Sequence, residues 1–187
     1  MSPTTHPTDD TASTAAAAAR SHRLVPGGAQ VRFRTTHLLG LGRVAGSLRL
    51  LDGHVLVAAD GTPLEVVAEL DTASFDSGSR ARDRAVASPR LLGSAAHPRA
   101  TYRSSRVQPR PGGWLVHGTL TVKGVGAPVD LLVEAPGAGG GEHPDGTVRV
   151  RAGARVDRRR HGIAIPAALA GRFLDVDLDV AVDTRGA

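Results

Sequence analysis

The sequence predicts an all-β domain of eight antiparallel strands closed into a barrel. Three observations carry this. Apolar and polar residues alternate with a period of two through eight separate segments. Turn signals divide those segments: Asp52-Gly53, Asp60-Gly61, Pro111-Gly112-Gly113 and the Gly/Pro stretch from Pro136 to Gly146. Each segment is apolar on one face only, which suits antiparallel sheet, because parallel sheets are usually covered on both faces. Eight such strands either stack as a sandwich or close on themselves, and closure removes the exposed edges that invite aggregation.

Residues 1–22 are mostly Thr, Ser, Pro, Asp and Ala. They bury too little apolar surface to order and are expected to form a disordered tail, with the folded domain at 23–187. The first strand sets Val31, Phe33 and Thr35 against Arg32 and Arg34. The second sets Val44, Gly46, Leu48 and Leu50 against Ala45, Ser47 and Arg49. The third carries Leu64, Val66, Ala68 and Leu70 on its apolar face. A weaker strand runs from Thr101 to Val107. The next two present Trp114, Val116, Gly118, Leu120 and Val122, then Val129, Leu131 and Val133. The seventh offers Val148, Val150, Ala152, Ala154 and Val156. The last is the cleanest: Leu174, Val176, Leu178, Val180 and Val182 oppose Asp175, Asp177, Asp179 and Asp183.

Three stretches break the period. The longest, Asp71 to Pro98, contains an Arg-rich segment in which Ser79 is placed to cap a short helical insert around 79–92. A long irregular insert in a β protein is usually a functional loop or lid. His37 to Gly42 is a weaker break. In the third, Arg158 to Arg172, Ile163, Ile165, Ala167, Ala168 and Leu169 are placed to cover one end of the barrel.

Apolar residues make up 41% of the 187, enough for one core, but aromatics are only 3%, so Val, Leu and Ala must fill it. An eight-stranded barrel is wide enough either to be filled by side chains or to hold one ligand. The inward faces are small, which favours unfilled space, and an apolar void is costly unless something occupies it. Two outcomes stay open: a cavity taking a long apolar ligand, with Phe33, Leu48, Val66, Trp114, Val116, Val176 and Leu178 among its lining, or a barrel collapsed on its own Leu and Val.

The net charge is +5, and all but one of the 23 basic residues are Arg. The 18 acidic residues and the scarcity of aromatic stacking platforms argue against nucleic-acid binding. The run Arg158-Arg159-Arg160 could attract a diphosphate, an anionic membrane surface or RNA, or be a solvated strand end. The absence of Cys excludes disulfides, thiolate metal sites and Cys nucleophiles. None of the eight His residues shows His-x-His or His-x-x-x-His spacing, so neither a metal nor a cofactor is predicted. There is no Gly-x-Ser-x-Gly elbow and no Gly-rich phosphate loop before a helix. No apolar run approaches the ~18 residues of a membrane span, and no secretory pattern precedes Arg20. The expectation is a cytoplasmic protein without stable membrane insertion.

Six elements, in order, carry a family resemblance: His37 after the first strand; Thr72 to Phe75; Arg82-Asp83; His97-Pro98-Arg99-Ala100-Thr101-Tyr102-Arg103-Ser104; Gly118 to Val129; and Arg158 to Ile163. Together, over Leu24 to Thr184, the chain resembles the YceI-like family. That resemblance implies a lipocalin-like barrel that binds a polyisoprenoid or isoprenoid quinone without changing it, allows a homodimer, and makes His37 a loop-anchoring hydrogen bonder. The chain departs from the family pattern at Ala85-Val86, which replace His-Leu, at Leu91-Leu92, which replace paired aromatics, and at His161, which replaces a late aromatic. An aromatic near the start of the first strand is also missing. Arg82 and Tyr102 are candidates to meet a ligand head group at the cavity mouth. Alternatively Arg82 and Asp83 form an ion pair that pins the insert to the barrel, with Asp83 accepting from backbone amides. An enzyme acting on a lipid-like substrate would need an inward titratable pair such as His37 with Asp83. A filled-barrel interaction or stress protein would need no ligand at all.

Overall fold

The computed structural model describes residues 19–37, 42–136, 145–166 and 170–185. Among them are nine strands and one α-helix: β1 (Arg20–Arg23), β2 (Gln30–His37), β3 (Gly42–Val57), β4 (Pro63–Asp76), α1 (Arg80–Ala87), β5 (Arg99–Arg110), β6 (Gly113–Val122), β7 (Val125–Glu134), β8 (Thr147–Asp157) and β9 (Phe173–Asp183). Every pairing is antiparallel. Neighbours in sequence pair from β2 to β9, and β9 returns to β2, closing the sheet. β1 and β2 share one flank of β3: β2 covers Gly42 to Leu48 and β1 covers His54 to Val57. They fill one position between them, so the barrel has eight.

β1 corrects the expected tail boundary. Residues 20–22 read as tail by composition, yet they pair with β3, and Leu24 beyond them is buried and bridges to Val182. The reason is the length of β3. It runs past the start of β2 and would otherwise leave an unpaired edge.

The Asp52-Gly53 signal is also not a turn. It sits inside β3, where the register against β4 shifts between Leu50 and Asp52. This bulge turns Leu51 outward and lets Val55 and Val57 continue the inner face begun by Leu48 and Leu50. A Cβ at Gly53 would come within 2.6 Å of the Val67 carbonyl oxygen, so the glycine marks close backbone approach. The hairpin itself is at Asp60-Gly61, with Gly61 at φ 85°. A second shift between Leu56 and Val57 puts Pro63 on the inside in place of Leu64, which is 39% exposed.

Helix α1 begins after Ser79 as predicted, but the Ser79 side chain makes no capping bond. Instead the Asp83 carboxylate accepts from the backbone N–H (3.0 Å) and hydroxyl (2.6 Å) of Ser77. The rest of the insert is fastened to the barrel through Thr72. Its hydroxyl donates to the His97 carbonyl at 2.7 Å, and its own carbonyl accepts from Ser94 Oγ at 2.9 Å. The insert shares its end of the barrel with the β6–β7 turn, where Lys123 Nζ donates to the Pro89 carbonyl.

Candidate functional site: an apolar cavity through the barrel

The interior is not packed by its own side chains. It encloses a cavity of about 810 Å³, bounded by inward residues of β2 to β9. Phe33, Leu48, Val66, Tyr102, Trp114, Val116, Val176 and Leu178 all line it, and many inward residues stay half-buried because they face that space. Gly46 gives the stacked rings of Phe33 and Phe75 (centroids 5.2 Å apart) their room. The insert contributes Arg82, Ala85, Val86, Ser88 and Leu91-Leu92, so the substitutions that set this chain apart from the family pattern border the cavity.

No Asp or Glu lines the cavity among the described residues. Asp83, the carboxylate an inward acid–base pair would need, is turned to Ser77. The side chain of His37 lies outside the described residues, as do Ala167, Ala168 and Leu169. Among the described residues no grouping of His, Asp and Glu could hold a metal.

Arg82 lies on helix α1 of the insert. It borders the cavity, and its Nε donates to Ser77 Oγ at 2.9 Å, the same hydroxyl that serves Asp83. Arg82 and Asp83 thus meet through Ser77 rather than as a direct ion pair.

Tyr102 is not at the mouth. Its ring crosses the inner face of β6 over Gly118, where a Cβ would overlap the phenol, and its hydroxyl donates to the carbonyls of Val116 (3.1 Å) and Val129 (3.3 Å). The ring borders the cavity while the hydroxyl belongs to the wall. Burial, reinforced by the charge of Asp130, pushes the phenol well above its ordinary value. A group whose folded pKa is raised stabilises the fold fully below its unfolded pKa of about 10, and that contribution is lost as pH climbs above it. Tyr102 is the only tyrosine. Ultraviolet titration should therefore show no phenolate appearing before unfolding, and appearance of phenolate in the folded protein near pH 10 would contradict this placement.

The basic run divides. Arg159 and Arg160 are exposed, whereas Arg158 is only 4% exposed. Its guanidinium donates to four backbone carbonyls: Gly171 from Nε (2.8 Å), Ile163 from Nη1 (2.7 Å), and Ile165 and Ala170 from Nη2 (both 2.9 Å). It gathers the chain after the 3-10 turn Arg158–His161 and closes that end of the barrel with Ile163 and Ile165. His161, in the same turn, is 1% exposed and also borders the cavity. A charge run is usually a solvated face, and nothing in the spacing marks its first member as different. Only the carbonyl-rich, irregular stretch that follows hints at a buried donor.

Against known proteins, residues 22–185 match the YceI-like domain family. A UPF0312 protein of Vibrio cholerae is 30% identical over 156 residues, covering 81% of this chain and 80% of the relative. A UPF0312 protein of Shewanella oneidensis is 29% identical over 157 residues, covering 83% and 81%. Among solved structures, Burkholderia cenocepacia BcnA superposes with a TM-score of 0.69 at 17% identity, covering 84% of this chain and 98% of BcnA. A polyisoprenoid binding domain from Saccharophagus degradans superposes at 0.58 with 14% identity, covering 87% and 97%.

Proposed function

Because this chain belongs to the YceI-like domain family, whose barrel here encloses an apolar cavity, we propose that it binds and carries a long apolar ligand, a polyisoprenoid or an isoprenoid quinone, without changing it. The observation that carries this is the 810 Å³ interior bordered by aliphatic and aromatic side chains with no carboxylate among the described residues. Ligand sites typically span about 300–1,000 Å³, so the space suits one chain molecule. Burial contributes about 0.8 kcal/mol per CH₂. A twenty-carbon isoprenoid thus gains on the order of 15 kcal/mol of transfer free energy, before the costs of losing translational and conformational freedom. Water is a poor occupant, since each molecule needs two to four polar partners that these walls do not supply. The polyisoprenoid class draws support from the Saccharophagus degradans domain, which shares the fold.

Arg82 and Arg90 border the cavity at the insert; in this reading they meet a polar or charged head group, while Phe33, Leu48, Val66, Trp114, Val116, Val176 and Leu178 meet the chain. The test is thermal unfolding of delipidated protein with and without geranylgeraniol. At a hundred times the dissociation constant, native-state binding adds about 2.7 kcal/mol. For a domain this size that raises the melting temperature by about 5–10 °C. An unchanged melting temperature with geranylgeraniol, and with longer isoprenoid alcohols and quinones, would overturn the proposal.

A further inference from the structure

We propose that the insert end of the barrel docks on an anionic membrane surface, so that the cavity exchanges its ligand with the bilayer there. This rests on the carrier reading and adds the partner and the end at which it is met.

Two segments cover that end. One is the insert with helix α1. The other is the chain around the 3-10 turn Arg158–His161, where His161 Nδ1 lies 3.1 Å from the Val125 carbonyl oxygen at the start of β7. Both carry exposed arginines that do not border the cavity: Arg80 and Arg84 on α1, Arg159 and Arg160 in the turn. Among the described residues none of these makes an ion pair, whereas on the wall Arg34, Arg103 and Arg149 pair with Asp177, Glu65 and Asp179. The acids near them in sequence are already engaged. Asp83 accepts from Ser77, Asp76 from the Gly78 N–H (2.8 Å), and Asp157 from Arg172 (2.7 Å). The arrangement works against the fold. Arg80 and Arg84, four residues apart, repel on one helix face, and Arg80 sits in the first turn, where the helix dipole disfavours a cation. An external anionic surface relieves both.

At the opposite end the sign reverses, with Asp60, Glu134, Asp145 and Asp183 against Arg110 and Arg185. Exposed residues border the cavity at both ends, Arg90 at the insert and Gly61 and Pro136 at the other. Charge therefore decides which end faces an anionic surface. A membrane fits better than a nucleic acid. Val125, beside Lys123 and Gly124, is 40% exposed, and an apolar side chain among cations suits the boundary between head groups and acyl chains. Nucleic-acid surfaces add aromatic platforms for bases. The one exposed aromatic, Phe173, already has the guanidinium groups of Arg155 and Arg172 over its ring, 4.5 and 5.1 Å from the centroid.

The test is co-sedimentation of the full chain with phosphatidylcholine vesicles, with and without one third phosphatidylglycerol. The protein should pellet with the anionic vesicles only, and added salt should release it. Each basic residue near such a surface multiplies partitioning about fivefold. Arg80→Gln, Arg84→Gln, Arg159→Gln and Arg160→Gln combined should therefore lower it by about 10²- to 10³-fold. Arg20→Gln, Arg106→Gln, Arg110→Gln and Arg151→Gln combined remove the same net charge from exposed positions away from the insert end and should change it less than about fivefold. Should the first variant fail to fold, the lipid and salt dependence of the wild-type protein decides. Pelleting with both kinds of vesicle or with neither, equal losses in the two variants, or tighter binding of single-stranded RNA than of anionic vesicles overturns the docking surface. Geranylgeraniol binding is read separately by the fluorescence of Trp114, the only tryptophan, which borders the cavity, and should be the same in both variants. A wild-type protein that binds geranylgeraniol but not anionic vesicles loses the docking surface and keeps the carrier reading. One that binds the vesicles but not geranylgeraniol loses the carrier reading and, with it, the exchange of ligand.

Discussion

Replacing Ala152 with Trp should lower affinity for geranylgeraniol by about 10²- to 10³-fold and leave the ligand-free protein as stable as the wild type. Ala152 lies on β8, faces Leu178 across the β8–β9 ladder and borders the cavity. An indole there displaces roughly one isoprene unit of a bound chain. Five carbons at about 0.8 kcal/mol each come to about 4 kcal/mol, close to a thousandfold in affinity. The stability of the variant is as informative as its binding. In an interior packed solid, the added ring would force side chains off their rotamers and cost about 1–3 kcal/mol. In an open interior it finds space and buries apolar surface. Fluorescence titration and thermal unfolding on the same sample separate the two. Unimpaired binding, or a strongly destabilised ligand-free protein, would contradict an unfilled barrel.

Arg158→Met should destabilise the fold by about 4 kcal/mol, at the high end for a single substitution. The lost guanidinium leaves the carbonyls of Gly171, Ile163, Ile165 and Ala170 facing a thioether. The segment that closes the barrel end then loses the group that gathers it. For a domain of this size the melting temperature falls by about 8–16 °C. Arg158→Lys should recover little, because an ammonium is a compact point charge and cannot reproduce the planar fork that reaches four carbonyls. Arg159→Met is the control: its side chain is exposed, and the change should stay within about 0.5 kcal/mol. Equal losses at the two positions, measured by denaturant unfolding, would mean that net charge rather than the carbonyl cage explains Arg158.

The inner face of the barrel was legible wherever side chains obey the period of two without interruption. β9 shows it best, with Leu174, Val176, Leu178, Val180 and Val182 facing the cavity and aspartates on the other face. Legibility failed where the backbone departs from that period. The bulge around Leu51 exchanges the two faces of β3 part-way along, and Asp52-Gly53 reads as a turn although it is a kink in a continuous strand. Alternation cannot register an extra residue, since the pattern on each side of it is locally correct. β1 was hidden by its tail-like composition, because what orders it is the length of a partner strand, a non-local fact.

The site divides along the same line. Phe33, Val66, Trp114 and Leu178 follow from parity alone. Tyr102 borders the cavity away from its expected place at the mouth, and the direction of its hydroxyl depends on Gly118 and Val129, residues on two other strands. Arg158 and His161 look like a basic surface run in sequence. Their burial follows from the irregular stretch folding back over them, which has no periodic signature.

The account turns on whether the barrel interior is open space that takes up an apolar chain. Native mass spectrometry of the gently purified protein tests this most directly, with any released molecule identified by fragmentation. The predicted spectrum shows the chain together with a second mass that falls away as a single isoprenoid, and a species at the bare protein mass after delipidation that regains the adduct when geranylgeraniol is added. A bare mass before and after that addition would contradict the account.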